Sequence, residues 1–513
     1  MAFCIAARQA QPLHRRRRQL IGMSTSRKLL SGIGWGGSSM VVVAGCQVVF
    51  LAVMARLLTP ADFGLVAMGN ICLRFLSYFA QLGVTPALIQ KPELQADDIA
   101  AALSVSLGIS FFCGLMALAA APFAGHFFDM PALSLVISLL SLTFPLQGLA
   151  AVSAGLLRRN MEFRALGLID AVAYVVGYGM VGVGLAWAGY GVWSLVAGAV
   201  LQTLLVTTMS YACARHSLRL SHSAAARRHF LGFGGRYSFI GFCEFIAGSF
   251  DALAIGKVLG SVSAGIYNRA TSVANLPVQQ PAAVIARAIF PLLSAAGTDH
   301  RLRTIGLQLS ILAVGGYAFV AAATVSMAAS PLVHTLLGDR WVAVIPVLQI
   351  FALSVAPRFV TMVVGVSLDA LGALRAKLYV QFGCVFLMAL AVVLTLPHGM
   401  VAVAAAVLVV ELVRVTLLLW VVTRAMRGAR PQWLPTLLPL GVLGLVTAGA
   451  VAGVLKLIPQ SPPWLGLLAA MGAALLAVVL TALLCRRWLV QLDSVGWMIL
   501  KMPRLGRLLP MTL

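Results

Sequence analysis

Fourteen apolar stretches follow one another along the chain, separated by short breaks rich in charge, proline or glycine. They cover residues 33–56, 63–89, 99–121, 131–157, 165–187, 190–212, 231–257, 262–294, 304–328, 341–369, 376–396, 400–423, 434–456 and 464–485. Nearly all reach the about 20 residues that a helix needs to cross roughly 30 Å of hydrocarbon. Their apolar positions run on without the period-two alternation of barrel strands. Backbone groups inside lipid must be satisfied locally, so such stretches predict helices. The expected fold class is an all-α membrane protein of about 14 transmembrane helices. Several stretches are long enough to predict tilt, kinks or interfacial ends, and Pro145, Pro277, Pro281 and Pro357 are the candidate kinks.

Composition excludes the soluble alternatives. The chain is 61% hydrophobic and 10% charged, with a mean hydropathy of +0.98, whereas soluble domains hold about 25% charged residues. A net charge of +23 would suggest nucleic acid in a soluble protein. In a membrane protein it predicts cytoplasmic loops collecting Lys and Arg, and no nucleic-acid partner. With the N terminus cytoplasmic, only Arg56, Lys257, Arg340 and Lys456 fall on the opposite side, and Arg74, Arg269, Arg287, Arg358 and Arg414 inside spans. The remaining 28 of the 37 Lys and Arg sit on the cytoplasmic side. That asymmetry supports an even span count with both termini cytoplasmic, since one missed helix would scramble every loop downstream.

The loops are short, the longest lying around 213–230, so neither face has room for a soluble catalytic domain. The segments 21–34 and 488–510 mix Trp, Leu and Arg and read as interfacial helices. The basic stretch Arg15 to Arg18 lacks the apolar core and cleavage site of a signal peptide. Met23 opens a more natural beginning, which leaves residues 1–22 either a tail or the product of an upstream start. Eight cysteines (Cys4, Cys46, Cys72, Cys113, Cys213, Cys243, Cys384, Cys485) are scattered without metal or redox spacing and read as packing residues. No cofactor, metal site or catalytic residue is expected.

Residues 34–66 align without gaps on 235–267, at an offset of 201. Gly34 falls on Gly235, Arg56 on Lys257, Leu58 on Leu259, Gly64 on Gly265 and Leu65 on Ile266. The offset equals six spans and predicts two six-helix halves in the same orientation, with a substrate path between them. The expected organisation is a basic tail (1–32), a first lobe of spans 1–6 (33–215) and a cytoplasmic linker (216–230). A second lobe of spans 7–12 (231–425), an appended helix pair (426–487) and an amphipathic basic tail (488–513) complete it.

Charges inside spans are costly and normally face a bundle interior or watery cavity. Glu411 and Arg414 are three apart on one helix and can form a local ion pair. Asp170 can pair with nearby Arg164, and Arg287 is close enough to the cytoplasmic face to snorkel. Arg74 and Arg358 lie near the middle of their spans with no acid three or four positions away, and Arg269 lies two turns into span 8. Two readings stay open. Arg74, Arg269, Arg358 and Arg287 line a cationic cavity, or they serve interhelical ion pairs that hold the bundle. Glu244 and Asp251, seven apart and on one helical face, could neutralise Arg269 or, with Glu411, carry a coupled cation. The glycines of 32–37 and 233–235 are explained by close helix packing more cheaply than by phosphate binding.

The run Phe250-Asp-Ala-Leu-Ala-Ile-Gly-Lys-Val-Leu-Gly-Ser-Val-Ser-Ala-Gly-Ile-Tyr-Asn-Arg-Ala270, then Asn275-Leu-Pro-Val-Gln-Gln280 and Ile289-Phe-Pro-Leu-Leu293, resembles the second-half signature of Wzx-type polysaccharide flippases. Ala55-Arg-Leu-Leu-Thr-Pro-Ala-Asp-Phe-Gly-Leu-Val-Ala67 is similar to their first-half segment. The likeness points to the colanic-acid and exopolysaccharide branch of the multidrug/oligosaccharidyl-lipid/polysaccharide (MOP) superfamily. It implies two V-shaped lobes, a central cavity and alternating access. It also implies a substrate of undecaprenyl diphosphate carrying a short oligosaccharide, moved from the cytoplasmic to the periplasmic leaflet of the inner membrane. A polysaccharide polymerase and a chain-length regulator are the expected protein partners. Family members use cationic cavity residues, which Arg74, Arg269 and Arg358 match in kind; Arg269 and Asp251 sit inside the recognisable motif. The rival readings are a lipid II flippase or a cation-coupled drug antiporter of the same fold. More distant is a membrane polymerase or ligase, from which a sizeable periplasmic loop would be expected.

Overall fold

The computed structural model describes residues 45–80, 85, 88, 91, 94–220, 245, 248–277, 300–371, 373–426, 433–459 and 461–484. Arg287, Glu244, Pro281, both predicted interfacial helices and the glycines of 32–37 and 233–235 lie outside them. Among the described residues, eleven helical stretches are long and apolar enough to cross a membrane. One of these, Gly248–Pro277, is two helices. Gly260 holds φ at 81° in the left-handed region, and Tyr267 Oη donates to Asp251 Oδ2 at 2.6 Å. Sixteen residues along a straight helix would stand about 24 Å apart, so the chain must fold back at Gly260. With this hairpin, Gly45–Leu57 and Pro60–Ala80, each of the fourteen predicted spans meets a described helix.

The helices are α1 (Gly45–Leu57), α2 (Pro60–Ala80), α3 (Ala96–Phe127), α4 (Pro131–Arg159), α5 (Phe163–Trp187) and α6 (Val192–Cys213). They continue as α7 (248–259) and α8 (261–277), then α9 (His300–Met327), α10 (Val344–Ala370) and α11 (Leu374–Thr395). The last three are α12 (Met400–Ala425), α13 (Trp433–Leu457) and α14 (Pro463–Leu484). The fold class is all-α and polytopic, a multi-pass membrane protein.

Local chemistry explains the ends. At the start of α2, Thr59 Oγ1 donates to Asp62 Oδ2 at 2.6 Å while the Asp62 N–H reaches Thr59 Oγ1 at 3.3 Å. Pro60 takes the first helical position, where a missing N–H costs nothing. Asp98 closes the start of α3 on the Gln95 N–H at 3.0 Å and binds Lys91 Nζ at 2.5 Å. Pro145 has no N–H for the Ser141 carbonyl, and α4 breaks at Leu142, three residues before the proline. Pro357 lies inside α10, which runs on through it. A wider π turn, Val175–Gly182, interrupts α5. There a Cβ on Gly177 would meet the Gln202 backbone at 2.9 Å, so α5 and α6 approach at backbone distance.

The described residues fall into two units. The first takes those up to Leu57 and from Gly69 to Ile246; the second takes Leu58–Met68 and those from Ala247 on. In the first, α3 packs on α4, while α4 and α5 pack on α6. Phe50 sits 5.0 Å from Tyr178 and 5.7 Å from Tyr174, ring centroid to centroid. In the second, α9 packs on α10 and α13, α12 on α10 and α11, and α14 on α13. Gly444 lets α13 lie against Phe319 of α9, where a Cβ would meet the ring at 3.2 Å. Gly64 and Gly265, paired by the sequence repeat, meet inside this unit: a Cβ on either would fall within 2 Å of a backbone carbonyl oxygen.

Candidate functional site

The second unit buries a cluster of charges among apolar helices. Glu411 stands near the middle of α12 with 4% of its side chain exposed. Its Oε1 accepts from Arg358 Nε of α10 at 3.3 Å and faces Arg414 Nη1, one turn on, at 3.7 Å. Arg414 Nη2 donates to Gln381 Oε1 of α11. The local pair expected between Glu411 and Arg414 therefore exists, but the shorter contact crosses between helices to Arg358. α10, α11 and α12 are tied at one level by a carboxylate, two guanidiniums and an amide.

A second carboxylate adjoins them. Asp251 of α7 accepts the Tyr267 hydroxyl on Oδ2 and the Ala252 N–H on Oδ1 at 2.8 Å. Arg358 lies within electrostatic reach of both Asp251 and Tyr267. Phe351 fills the space between: its ring stands edge-on to Tyr267 at 5.9 Å and under the Arg358 guanidinium at 5.5 Å. Such a cluster is expensive at membrane depth and is rarely placed there without a role.

Arg269 occupies a separate position in the same unit. Its guanidinium lies 4.3 Å from the centre of the Phe63 ring, and Nη2 bonds Asn268 Oδ1 at 3.0 Å. Phe63 in turn meets Trp341 edge-on at 5.4 Å, and Trp341 is fully buried. The cation thus lies on an aromatic face, a cation–π arrangement.

Of the residues singled out in the sequence, the structure joins Arg358 to Glu411 and brings Asp251 close. Arg269 is held apart on Phe63. Arg74 is exposed on α2 and belongs to the first unit, as does Asp170, which lies within reach of the Arg158 charge. Tyr267, Gln381, Phe63 and Trp341 were not anticipated. A tyrosine or glutamine in an apolar span is a faint signal, because its meaning depends on which helix lies opposite.

The family described as polysaccharide biosynthesis protein matches residues 53–346, more than half of the chain. That range holds Arg74, Asp251 and Arg269 and stops short of Arg358 and Glu411. The succinoglycan biosynthesis transport protein ExoT of Rhizobium meliloti (strain 1021) is 26% identical over 333 residues, 64% of this chain and 66% of that one. The lipopolysaccharide biosynthesis protein WzxC of Escherichia coli (strain K12) is 23% identical over 336 residues, covering 64% and 67%. The match thus spans about two thirds of the length of these relatives. Among solved structures, the lipid II flippase MurJ in an inward closed conformation superposes with a TM-score of 0.72 at 12% identity, over 88% of this chain and 99% of that one. An inward-facing multidrug resistance MATE transporter of the MOP superfamily gives 0.58 at 16% identity, over 75% and 96%. At these identities the structural likeness establishes the MOP fold alone.

Proposed function

Because the chain belongs to the polysaccharide biosynthesis protein family, we propose that it is a flippase for a lipid diphosphate carrying an oligosaccharide repeat unit. The substrate class is undecaprenyl-diphosphate-linked oligosaccharide, moved from the cytoplasmic to the periplasmic leaflet of the inner membrane by alternating access. The relatives named for succinoglycan transport and lipopolysaccharide biosynthesis support this class. Both termini face the cytoplasm, six helices form each lobe, and α13 and α14 are an appended pair. The chain makes and breaks no covalent bond, and it hands its cargo to a polymerase working with a chain-length regulator.

One observation carries the reading: arginine charge held at mid-helix beside a carboxylate that satisfies it only in part. A diphosphate and its sugars are too polar for hydrocarbon and need a hydrated, cationic path, while the prenyl tail stays in lipid. Arginine suits that task because its charge persists and its fork matches paired phosphate oxygens. The test is to delete the gene and ask which leaflet exposes the glycan of the lipid-linked oligosaccharide. Glycan trapped on the cytoplasmic side, and released by the intact chain, supports the flippase. Normal flipping with unpolymerised repeat units accumulating in the periplasm would point to a polymerase or ligase instead. Rescue of lipid II export, without rescue of polysaccharide, would assign the cargo to peptidoglycan synthesis.

A further inference from the structure

Glu411 and Arg358 are unequally buried: the carboxylate keeps 4% of its side-chain exposure, the guanidinium 37%. They meet edge-on. Arg358 gives Glu411 its Nε, while Nη1 and Nη2 have no hydrogen-bond partner among the described residues. Those two nitrogens form one of the edges with which arginine grips paired oxyanion oxygens. On the carboxylate, Oε1 serves both arginines, whereas Oε2 and Arg414 Nε are buried with no partner among the described residues. Both contacts exceed the about 2.7–2.9 Å of a tight charge-assisted bond. Leaving buried polar atoms idle is costly, so the sequence tolerates a slack arrangement in the apolar core of this unit.

Asp251 does not aim Arg358: among the described residues its oxygens accept from the Tyr267 hydroxyl and the Ala252 N–H. The hydrogen bond that directs the guanidinium is the one from Nε to Glu411. Arg414 is anchored to Gln381 and shares the same carboxylate oxygen at 3.7 Å.

The geometry points to Glu411 as the positioning residue for Arg358: it fixes Nε, leaves the Nη edge open for the diphosphate of the substrate, and its charge limits how tightly that diphosphate is held. This rests on the flippase reading above. A carrier has to release what it binds, and binding that is equally tight in every state does not speed turnover. An uncompensated arginine in a low-dielectric interior would grip a diphosphate strongly. A partly engaged carboxylate beside it weakens that grip without removing the fork.

The test uses the full chain in lipid nanodiscs, with farnesyl diphosphate as the binding probe and farnesyl monophosphate as its control. Polysaccharide export in cells, at matched expression, reports turnover. Glu411→Gln keeps an oxygen for Nε and removes the charge, so farnesyl diphosphate should bind about tenfold tighter while export falls. Glu411→Ala removes the support as well, and binding should weaken about tenfold. If the alanine variant does not fold, Glu411→Gln decides alone. A glutamine variant that binds and exports like wild type would overturn the role of Glu411 and leave the flippase reading intact. A wild-type chain that ignores farnesyl diphosphate, in a host whose glycan still crosses after deletion, would instead overturn the flippase reading.

Discussion

Gly64 and Gly265 stand 201 positions apart in the chain and against each other in space. A Cβ built on Gly64 would lie 1.8 Å from the Ser261 carbonyl oxygen, and one on Gly265 would lie 1.9 Å from that of Pro60. The same offset relates Pro60 to Ser261, so the contact is reciprocal: each glycine receives the carbonyl of the residue four before its counterpart. The repeat read from sequence is thus present as a local two-fold crossing of the starts of α2 and α8.

Alanine at either glycine must push backbone against backbone, because no flexible side chain stands there to yield. Each single variant should lose about 1–3 kcal/mol, the usual cost of overpacking. The double variant should lose less than the sum, since one separation of the helices relieves both clashes. Gly108→Ala on α3 has open space around its Cβ and serves as the control. Thermal melting in detergent reads the series. Additive losses would mean that the two glycines act through separate contacts.

The α7–α8 hairpin gives a second prediction. Gly260 has nothing within 4 Å of its Cβ position, so Gly260→Ala meets no neighbour and reports only its left-handed backbone at φ 81°. The expected loss is about 1–2 kcal/mol, and Gly260→Asn, which tolerates this conformation, should recover much of it. Tyr267→Phe leaves the hairpin shape and removes the hydroxyl from Asp251. Leaving a buried acceptor without its donor costs about 1–3 kcal/mol. Melting curves for the three variants should rank asparagine mildest; equal losses for alanine and asparagine would mean that strain at Gly260 is not the cause.

The membrane class and the number of spans could be read directly, because long apolar runs have few other uses. Side-chain partnerships could not. Arg358 was recognisable as a charge without a local partner, yet its acid lies 53 positions away on α12, where sequence spacing pointed to Arg414. Which turn of α12 faces which turn of α10 depends on helix register, and register leaves no trace in a uniformly apolar span. The kink expected at Pro145 is present one turn earlier: the break in α4 falls at Leu142, next to the Ser141 carbonyl for which Pro145 has no N–H. Gly64 and Gly265 were aligned correctly, but their mutual contact required the fold.

Stability should separate the ion pair from its members. Arg358→Leu leaves Glu411 buried with only the longer contact to Arg414. Breaking a buried pair from one side costs about 3–5 kcal/mol, and this remaining contact should hold the loss near the lower end. Replacing both, Arg358→Leu with Glu411→Leu, removes the charge that was stranded and should recover part of the loss. Chemical denaturation of the four members of this cycle gives the coupling. A double variant as unstable as the sum of the singles would show that the two side chains do not share an interaction.

The orientation proposed from charge can be tested one residue at a time. Leu218 is exposed just beyond α6, between Arg215 and Arg219, in a segment tied back to the first unit by His216 Nε2 at 3.0 Å from Ser153 Oγ. His398 is exposed in the turn joining α11 to α12, a turn with no Lys or Arg. Basic loops stay cytoplasmic because moving their charge across the bilayer is unfavourable. In a background lacking the native cysteines, His398→Cys should react with a membrane-impermeant maleimide added to intact spheroplasts. Leu218→Cys should react only after the membrane is opened. Labelling of both from outside would contradict the odd number of crossings, the five helices α7–α11, that separates the two positions. The reverse pattern would invert the protein and put its arginine-rich loops in the periplasm, against the charge asymmetry on which the orientation rests.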